Sequence, residues 1–472
     1  MLFSSNEFLF LFLPLSLLLY FITPKKFRNL TLFAVSLVFY GWGEPIYVFL
    51  MVFTIISNYV FGFLIEKLSG REKERRRVLI ISVIVNLAML GFFKYADFII
   101  VNLAKLPFLS GLSPLNISLP IGISFYTFQS MSYVIDVYRG DARVQKSIVN
   151  FGAYVTMFPQ LIAGPIVRYS DIDRELDVRE HSVNACADGA RRFVCGLAKK
   201  VLLADTAGAL WERIKDIPDG EGSVLLMWVG IACYSAQIYF DFSGYSDMGI
   251  GLGKVLGFNF PENFNYPYIS KSISDFWRRW HITLSTWFKE YVYIPLGGNR
   301  VGHARLVFNL LVTWLLTGLW HGASWNFVLW GVYYFVLLAI EKLFLAKWLK
   351  RLPDLVLHAY TLFFVSIGWL IFAFEDAGAG LDYFRAMFGF GGLPLINEEL
   401  GYELVRNLLF FALLVFAATP YPKRLFERML SFGGARKRGA EIFVNVSCVC
   451  VLLLCIAYLA SSSYTPFLYF RF

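Results

Sequence analysis

Apolar runs recur from one end of the chain to the other, and short polar loops separate them. A helix needs about 20 apolar residues to cross about 30 Å of hydrocarbon. Runs near that length cover residues 6–22, 29–43, 45–67, 355–374, 403–420 and 440–460, among others. The pattern predicts an all-α polytopic membrane protein with about 11 transmembrane or re-entrant helices.

The composition supports the same class. The chain is 57% hydrophobic and 16% charged, whereas soluble proteins carry about 25% charged residues. No linker rich in Pro, Ser or Gly and no internal repeat divides the sequence, so we expect one membrane-embedded domain over residues 1–472, in contact with the lipid bilayer.

The net charge of +9 lies mainly in the short loops between apolar runs. Basic loops of this kind mark the cytoplasmic side of a membrane protein, so the charge does not indicate a nucleic acid partner. The strongest basic cluster occupies residues 71–77. Counting spans from it predicts an inner-membrane protein with both termini on the extracytoplasmic side.

Two segments depart from the pattern of simple spans. Basic residues flank both ends of the segment 147–166, which Pro159 and Pro165 interrupt. It should therefore enter and leave the membrane by the cytoplasmic face. Interrupted backbone of this kind is tolerated at membrane depth only inside protein or beside a cavity. Residues 254–305 contain no clean span and should be cytoplasmic. The following run, 306–320, covers only about 22 Å as a helix, which places His321 below the outer surface.

Two histidines lie in apolar, tryptophan-rich sequence. His281 follows Trp277-Arg-Arg-Trp280, and His321 follows Gly318-Leu-Trp320. An ionisable side chain at membrane depth costs about 3 kcal/mol unless protein or a water-filled cavity surrounds it, so it is a functional candidate. The alternative is a neutral histidine that holds two helices together by a hydrogen bond. The Gly, Trp and Asn residues around His321 favour function.

Eight short motifs follow one another along nearly the whole chain. They occupy residues 3–6, 93–96, 120–126, 133–140, 161–165, 239–247, 276–281 and 319–322. In this order they resemble the membrane-bound O-acyltransferase family, in the branch of the alginate O-acetyltransferase membrane subunit. The resemblance implies a helical core with a central tunnel, with His321 as the catalytic histidine and His281 at the family's second position of histidine or asparagine.

The resemblance also implies a reaction. An acetyl group would pass from cytoplasmic acetyl-CoA, a substrate rather than a bound cofactor, to an extracytoplasmic polysaccharide, through an SGNH-type acyltransferase partner. The acceptor stays open among alginate, cellulose, peptidoglycan and other glycans, and the donor stays open between acetyl-CoA and a carrier-protein thioester. D-alanyl transfer to teichoic acid is the alternative within the family. A polysaccharide or lipid transporter or flippase is the alternative outside it, because intramembrane charges also line substrate paths.

The residues around His321 suit acyl transfer. A hydroxyl acceptor needs a base, and a neutral imidazole with a pKa near 6.5, which burial lowers further, can serve. His321 is therefore the candidate general base. The oxyanion that forms needs N–H donors in a dry site, and Trp320, Trp325 and Asn326 are the candidates.

Charged residues complete the predicted site. Arg278 and Arg279 could bind the phosphates of the donor, although ordinary positive-inside anchoring predicts the same arginines. Asp241 and Asp247 lie in or near the membrane, where acids normally have a partner. We expect Arg278 or Arg279 to pair with them, and Gln237, one turn earlier, to belong to the same structural network.

The last residues suggest a second chemical role. Four of the last six residues are aromatic, which an interfacial aromatic belt would explain. The ending also resembles the aromatic C-terminal motif of the companion protein in teichoic acid D-alanylation. We therefore hypothesise that Tyr469 accepts the acetyl group and relays it as an activated phenyl ester.

A metal site is not expected. His281 and His321 are 40 positions apart, with no HExxH motif or cysteine companion, so a zinc ion would lack ligands.

Overall fold

The computed structural model describes residues 1, 3–162, 164–218, 220–390, 392–431 and 434–461. Every regular element in these ranges is helical, and the prediction of an all-α polytopic membrane protein is confirmed. Two compact units divide the chain. The first contains Met1–Phe193 and Tyr245–Pro261, and the second contains Val194–Gly244 and the described part of residues 262–468. The expectation of one domain stays a prediction.

The helices begin with nine that lie wholly or mostly in the first unit. They are α1 (Leu13–Ile22), α2 (Arg28–Gly43), α3 (Val48–Lys67), α4 (Glu72–Leu103), α5 (Ile123–Arg139), α6 (Ile148–Thr156), α7 (Phe158–Leu161), α8 (Tyr169–Asp177) and α9 (Val183–Ala198). A π-helical turn, Phe8–Phe12, precedes α1, and 3₁₀ turns occupy Lys25–Phe27 and Pro107–Leu109.

Thirteen further helices follow in the described part of the chain. They are α10 (Asp205–Lys215), α11 (Val224–Val255), α12 (Ile273–Arg279), α13 (Ile282–Phe288), α14 (His303–His321), α15 (Trp325–Ile340), α16 (Ala346–Leu349), α17 (Asp354–Ala373), α18 (Ala377–Met387), α19 (Glu398–Arg406), α20 (Leu408–Ala417), α21 (Tyr421–Leu430) and α22 (Gly434–Ser461). Shorter turns occupy Lys199–Ala204, Pro267–Ile269, Lys289–Tyr293 and Glu341–Leu345.

Six helices of the described chain are long and apolar enough to cross a membrane. They are Val48–Lys67, Glu72–Leu103, Val224–Val255, Trp325–Leu349, Asp354–Ala373 and Lys437–Ser461. The region 403–420, expected as one span, is instead the pair α19 and α20, which bend by 63° at their junction. Counting this pair gives seven. The other apolar runs form shorter helices.

The segment expected to be broken forms two short helices. The first, α6, ends at Thr156, the chain turns at Met157, and α7 follows. Within the same unit, a Cβ added at Gly249 would lie only 2.5 Å from the Pro159 carbonyl oxygen. Glycine at this position therefore lets the end of α11 contact the backbone of α7.

Helices α14 and α15 pack closely against each other in the second unit. A Cβ added at Gly331 would lie 2.5 Å from the carbonyl oxygen of Trp314, and Gly318 faces Gly331 from the other helix. Small residues that allow two backbones to meet are typical of helix contacts in membranes. This crossing brings the last turn of α14, with His321, beside α15.

Candidate active site

His281 occupies the junction between α12 and α13 with an unusual backbone. Its φ is 42° and its ψ is 56°, the left-handed region that costs a non-glycine residue of order 1–3 kcal/mol. Asn263 holds the turn, because its carbonyl oxygen accepts a hydrogen bond from the Ile282 N–H at 2.9 Å. Strain that the surroundings enforce is typical of functional sites.

The side chain of Asn263 orients the His281 ring. Its Oδ1 lies 3.0 Å from His281 Nδ1 and also accepts hydrogen bonds from the Thr283 N–H and Oγ1. An amide oxygen can only accept, so His281 Nδ1 carries the proton and Nε2 keeps its lone pair. Within the described ranges, the buried Nε2 has no hydrogen-bond partner.

The surroundings also keep His281 neutral. Its ring is 1% exposed and lies outside the membrane-spanning helices. Burial, and secondly the neighbouring His321, lower the pKa of His281 well below its usual value of 6.5. The result is a neutral imidazole with one acceptor nitrogen available in a dry interior.

His321 is the last residue of α14 and lies among aromatic rings. It is 5% exposed, and its ring centre lies 4.9 Å from that of Trp330 and 5.3 Å from that of Phe372. The Trp320 ring contacts both histidines, at 5.0 Å from His321 and 5.7 Å from His281. The structure therefore brings the two predicted histidines to one site, although 40 positions separate them.

The three predicted oxyanion donors have different positions. Trp320 and Asn326 are buried, but Trp325 is 59% exposed and drops out as a donor to a buried site. The Asn326 Nδ2 donates to the Phe372 carbonyl oxygen at 3.3 Å, which ties it to the same aromatic wall as His321.

Sequence reasoning missed Trp330. Its side chain is fully buried, its ring contacts His321, and its indole N–H has no hydrogen-bond partner in the described structure. The indole nitrogen is a donor only, so Trp330 is a candidate oxyanion donor. The available signal was its spacing, since it follows Asn326 by four residues and thus shares a helix face with it.

The expected pairing of Asp241 and Asp247 with arginines of α12 is wrong. Asp241 forms a 2.9 Å ion pair with Lys200, and Asp247 forms one of 2.8 Å with Arg192. These ion pairs join residues that are far apart in the sequence, so the local spacing of charges could not predict them. Both acids nevertheless have the structural ion pairs that their burial requires.

Lys200 also binds Asp205, with a nitrogen to oxygen distance of 2.6 Å. Lys200, Asp205 and Asp241 therefore form a buried ionic cluster, one cation between two carboxylates. Gln237, which we placed in the network of Asp241, packs instead against Gly208. Its buried Oε1 has no hydrogen-bond partner among the described residues.

Arg278 and Arg279 point to different surroundings. Arg279 donates to Asp275 of the same helix at 3.1 Å and to the carbonyl oxygen of Asn265 in the preceding loop, and both contacts are structural. Arg278 is 74% exposed along its side chain and lines a cavity of about 350 Å³. Only Arg278 is therefore positioned to meet a ligand from solution.

That cavity is strongly basic. Its charged lining consists of Lys271, Arg278, Lys342, Lys350 and one acid, Glu341. The Glu341 carboxylate is buried and accepts hydrogen bonds from the Ile273 and Ser274 N–H groups and from the Ser274 hydroxyl. Lys271 forms an ion pair with Asp354 at 2.6 Å. The other three cations, Arg278, Lys342 and Lys350, still outnumber the one acid of the lining, so the cavity has an excess positive charge.

Comparison with known proteins identifies the family. The model of MBOAT, the membrane-bound O-acyltransferase family, matches residues 141–374. A probable alginate O-acetylase AlgI of Pseudomonas putida is 40% identical over 493 residues, covering 100% of both chains. The chain belongs to the membrane-bound O-acyltransferase family. The resemblance seen in the eight motifs, including the AlgI-like branch, is confirmed, and the protein is an O-acyltransferase.

Other relatives of this acyltransferase differ in what they modify. The peptidoglycan O-acetyltransferase of Helicobacter pylori is 32% identical and aligns with 100% of this chain and 98% of its own length. The teichoic acid D-alanyltransferase of Bacillus subtilis is 29% identical over 55% of this chain and 70% of its own.

Two further predictions concern an acyl relay and a metal site. Tyr469, the predicted acyl relay, lies outside the described residues. Within the described ranges, no three His, Cys, Asp or Glu side chains come together in a way that could hold a metal ion.

Proposed function

We propose that this acyltransferase transfers an acetyl group from cytoplasmic acetyl-CoA to the outer side of the inner membrane. There the group would reach hydroxyls of an extracytoplasmic polysaccharide, through an SGNH-type acyltransferase partner. Relatives named alginate O-acetylase and peptidoglycan O-acetyltransferase, both aligned over essentially their whole length, support this class of product.

The two histidines divide the proposed chemistry. His321 takes the proton of the acceptor hydroxyl while that oxygen attacks the thioester carbonyl carbon. The tetrahedral intermediate collapses, the carbon–sulfur bond breaks, and His321 returns the proton to the departing thiolate. Two neighbouring imidazoles do not both become charged, and burial disfavours the cation at His281. The proton therefore resides on His321, and His281 stays neutral.

His281 then acts as a hydrogen-bond acceptor for the donor. Its Nε2 is a buried acceptor without a protein partner in the described structure, and the pantetheine arm of coenzyme A carries amide N–H groups that need one. An unmet buried acceptor is costly, about 1–3 kcal/mol, so filling it favours the bound donor. Trp330 and Trp320 are the proposed oxyanion donors.

The basic cavity is the proposed binding site for the phosphates of the donor. Arg278 offers a guanidinium fork that matches phosphate geometry, and Lys271, Lys342 and Lys350 add charge around it. This assignment also agrees with the predicted cytoplasmic position of residues 254–305.

The observation that carries the proposal is the buried pair of histidines around Trp320, one of them held by Asn263. His321→Ala, purified with its partner in proteoliposomes, should release no coenzyme A thiol from acetyl-CoA and label no acceptor glycan. His303→Ala, which removes an exposed histidine from the start of the same helix, is the matched control and should be unaffected. Wild-type thiol release by His321→Ala would refute the base assignment.

His281 permits a second test because of its backbone. Glycine adopts positive φ without strain, so His281→Gly removes the ring and leaves the turn intact. We expect a raised KM for acetyl-CoA, which free imidazole in the assay lowers again. A variant whose turnover falls while its KM is unchanged would instead place His281 in proton transfer.

D-alanyl transfer to teichoic acid is the competing activity within the family. Offering the purified protein acetyl-CoA and a D-alanyl carrier-protein thioester in parallel distinguishes the two donors. A transporter would move an intact glycan or lipid without releasing thiol from either donor.

The relay through Tyr469 remains part of the proposal. Tyr469→Phe keeps the aromatic ring and removes the hydroxyl that would carry the acetyl group. We expect this variant to lose glycan acetylation and to release coenzyme A thiol at a correspondingly reduced rate. Undiminished acetylation would exclude the relay.

A further inference from the structure

A cluster of cations surrounds Tyr20 in the first unit. The guanidinium of Arg28 lies 5.3 Å from the centre of the Tyr20 ring, and that of Arg179 lies 5.9 Å from it. The Tyr20 hydroxyl donates to the Leu256 carbonyl oxygen at 2.8 Å and lies 3.1 Å from His181 Nε2. His181 Nδ1 is in turn 3.3 Å from an Arg28 nitrogen.

Neither arginine forms an ion pair with an acid in the described part of the chain. Among the described residues, no carboxylate oxygen lies within 4.0 Å of Arg28 or Arg179, whereas other partly buried arginines of the same unit do have such partners, Arg168 with Asp171 and Arg192 with Asp247. Glu175, one turn before Arg179, uses its carboxylate on the N–H and side-chain amide of Asn259.

The hydrogen-bond count leaves donors available. A guanidinium carries five N–H donors. Arg179 uses Nε on the Tyr20 hydroxyl and one terminal nitrogen on the Glu175 carbonyl oxygen. Arg28 uses Nε on the Thr23 carbonyl oxygen and one terminal nitrogen on His181. In the described structure, the second terminal nitrogen of each arginine makes no hydrogen bond to protein.

Aromatic stacking explains how these cations remain in place without acids. Arg179 lies 4.4 Å from the centre of the Phe258 ring, and Arg28 lies 5.8 Å from that of Phe21. Such contacts stabilise a cation through the ring face and leave the edge of the guanidinium, with its N–H groups, free to bind an anion. Burial and the two arginines lower the pKa of His181, so His181 adds hydrogen-bonding capacity rather than charge.

An exposed apolar surface adjoins the cluster. Leu18 and Leu19 of α1 are 56% and 52% exposed, and Ile22, at its end, is 71% exposed. Lys25 and Lys26 lie three and four residues after Ile22 and are also exposed. A free phosphate ion would satisfy only the cations, whereas a phospholipid would cover the apolar surface with its chains and meet the cations with its headgroup.

We propose that the phosphate of an anionic phospholipid binds between Arg28 and Arg179, with its acyl chains along the exposed face of α1. The headgroup is anionic because the cluster presents four cations, Lys25, Lys26, Arg28 and Arg179. Cytoplasmic leaflets carry such lipids, and each nearby basic residue attracts them by about 1 kcal/mol. This site does not depend on the proposed acyl transfer.

Native mass spectrometry of the full-length protein tests the site. The protein is titrated with phosphatidylglycerol and, separately, with phosphatidylcholine. We expect wild type to retain phosphatidylglycerol at least about tenfold better than the Arg28→Gln/Arg179→Gln variant, a difference of about 1.4 kcal/mol. Arg385→Gln, which removes an exposed arginine paired with Asp382 on α18, is the control for charge alone and should bind as wild type does.

Each other outcome overturns the proposal. Equal retention by the double variant would place the lipid elsewhere, equal retention of phosphatidylcholine would remove the charge requirement, and displacement by millimolar inorganic phosphate would indicate a site for free anions. If the double variant fails to fold, Arg28→Gln alone serves, with the rise in melting temperature on adding phosphatidylglycerol as the readout.

Discussion

Asn263 decides which nitrogen of His281 can accept a hydrogen bond. Its Oδ1 faces Nδ1, and the Thr283 N–H fixes the amide orientation by donating to the same oxygen. In metal sites, partners that orient a ligating imidazole contribute about 10-fold to 100-fold to affinity or activity, and we expect a similar contribution from Asn263. The site thus depends on a residue that has no charge and no distinctive motif.

Replacing Asn263 should therefore affect donor binding more than turnover. Asn263→Ala lets the His281 ring rotate and change tautomer, and we expect KM for acetyl-CoA to rise about tenfold or more. Thr283→Val removes the other side chain bonded to Asn263 Oδ1 and leaves His281 in place, so it is the matched control. Equal effects of the two variants would show that Asn263 acts only by holding the loop.

The low pKa of His281 predicts how donor binding responds to pH. The ring is neutral above its pKa in the folded protein and loses its acceptor below it, so KM for acetyl-CoA should stay constant as pH falls through 6.5 and rise only well below it. Asn263→Asp places a carboxylate at Nδ1, favours the cation and should move the rise to higher pH. A wild-type KM that already rises at pH 6.5 would contradict the assignment.

The sequence identified the two histidines but not their partners. A histidine in apolar sequence is conspicuous by composition alone, whereas Asn263 lies in a loop 18 residues before His281 and reaches it only through the fold. Trp330 was missed for another reason. In the sequence of an apolar helix, a tryptophan that only packs cannot be distinguished from one whose indole N–H binds a ligand.

At the scale of elements, the crossing of α14 and α15 sets the distance between His321 and Trp330. Gly331 leaves no space for a methyl group at the Trp314 carbonyl oxygen, so the two backbones must separate if one is added. A displacement of about 1 Å at a catalytic group can reduce the rate about 100-fold.

Gly331→Ala should consequently lower turnover about 10-fold to 100-fold, while the protein still inserts and remains monodisperse. Gly401→Ala provides the control, because that glycine lies in α19 with open space around its Cα. Thiol release from acetyl-CoA by the two purified variants measures the difference. Full activity in Gly331→Ala would mean that the crossing does not position the site.

Element boundaries were predictable only where the pattern was simple. The spans at 45–67 and 355–374 agree closely with α3 and α17, because a continuous apolar run has one obvious helical reading. The region 403–420 contains a run just as apolar, yet the chain bends at Asn407, whose side chain donates to the Glu403 carboxylate at 2.8 Å. One polar residue that hydrogen-bonds to the preceding helical turn is not enough, in the sequence alone, to predict a bend.

At the scale of the whole molecule, the predicted orientation rests on the basic loops. Helix α17 offers a test, because Lys350 lies just before it, Ala377 lies just after it, and both are exposed. The prediction is that the first position faces the cytoplasm and the second the outside.

Cysteines introduced singly at these two positions should react with a membrane-impermeant thiol reagent from opposite sides. The background must lack the native cysteines, of which Cys195 and Cys450 are exposed. In intact spheroplasts we expect labelling of Ala377→Cys and protection of Lys350→Cys until the membrane is opened. The reverse pattern would invert the topology, and labelling of both from one side would show that α17 does not span.

The buried cluster of Lys200, Asp205 and Asp241 contains one cation and two carboxyl groups. Burial raises the pKa of Asp205 to about 6, against the opposing effect of Lys200, while the carboxyl is ordinarily near 3.8 in an unfolded chain. Between these values the folded protein holds one more proton than the unfolded chain, so the free energy of unfolding should increase as pH falls from 7 towards 5. The melting temperature should rise over that interval, and Asp205→Asn, which needs no proton to become neutral, should remove the rise. The acyltransferase would then gain stability at mildly acidic pH, because its buried Asp205 takes up a proton on folding.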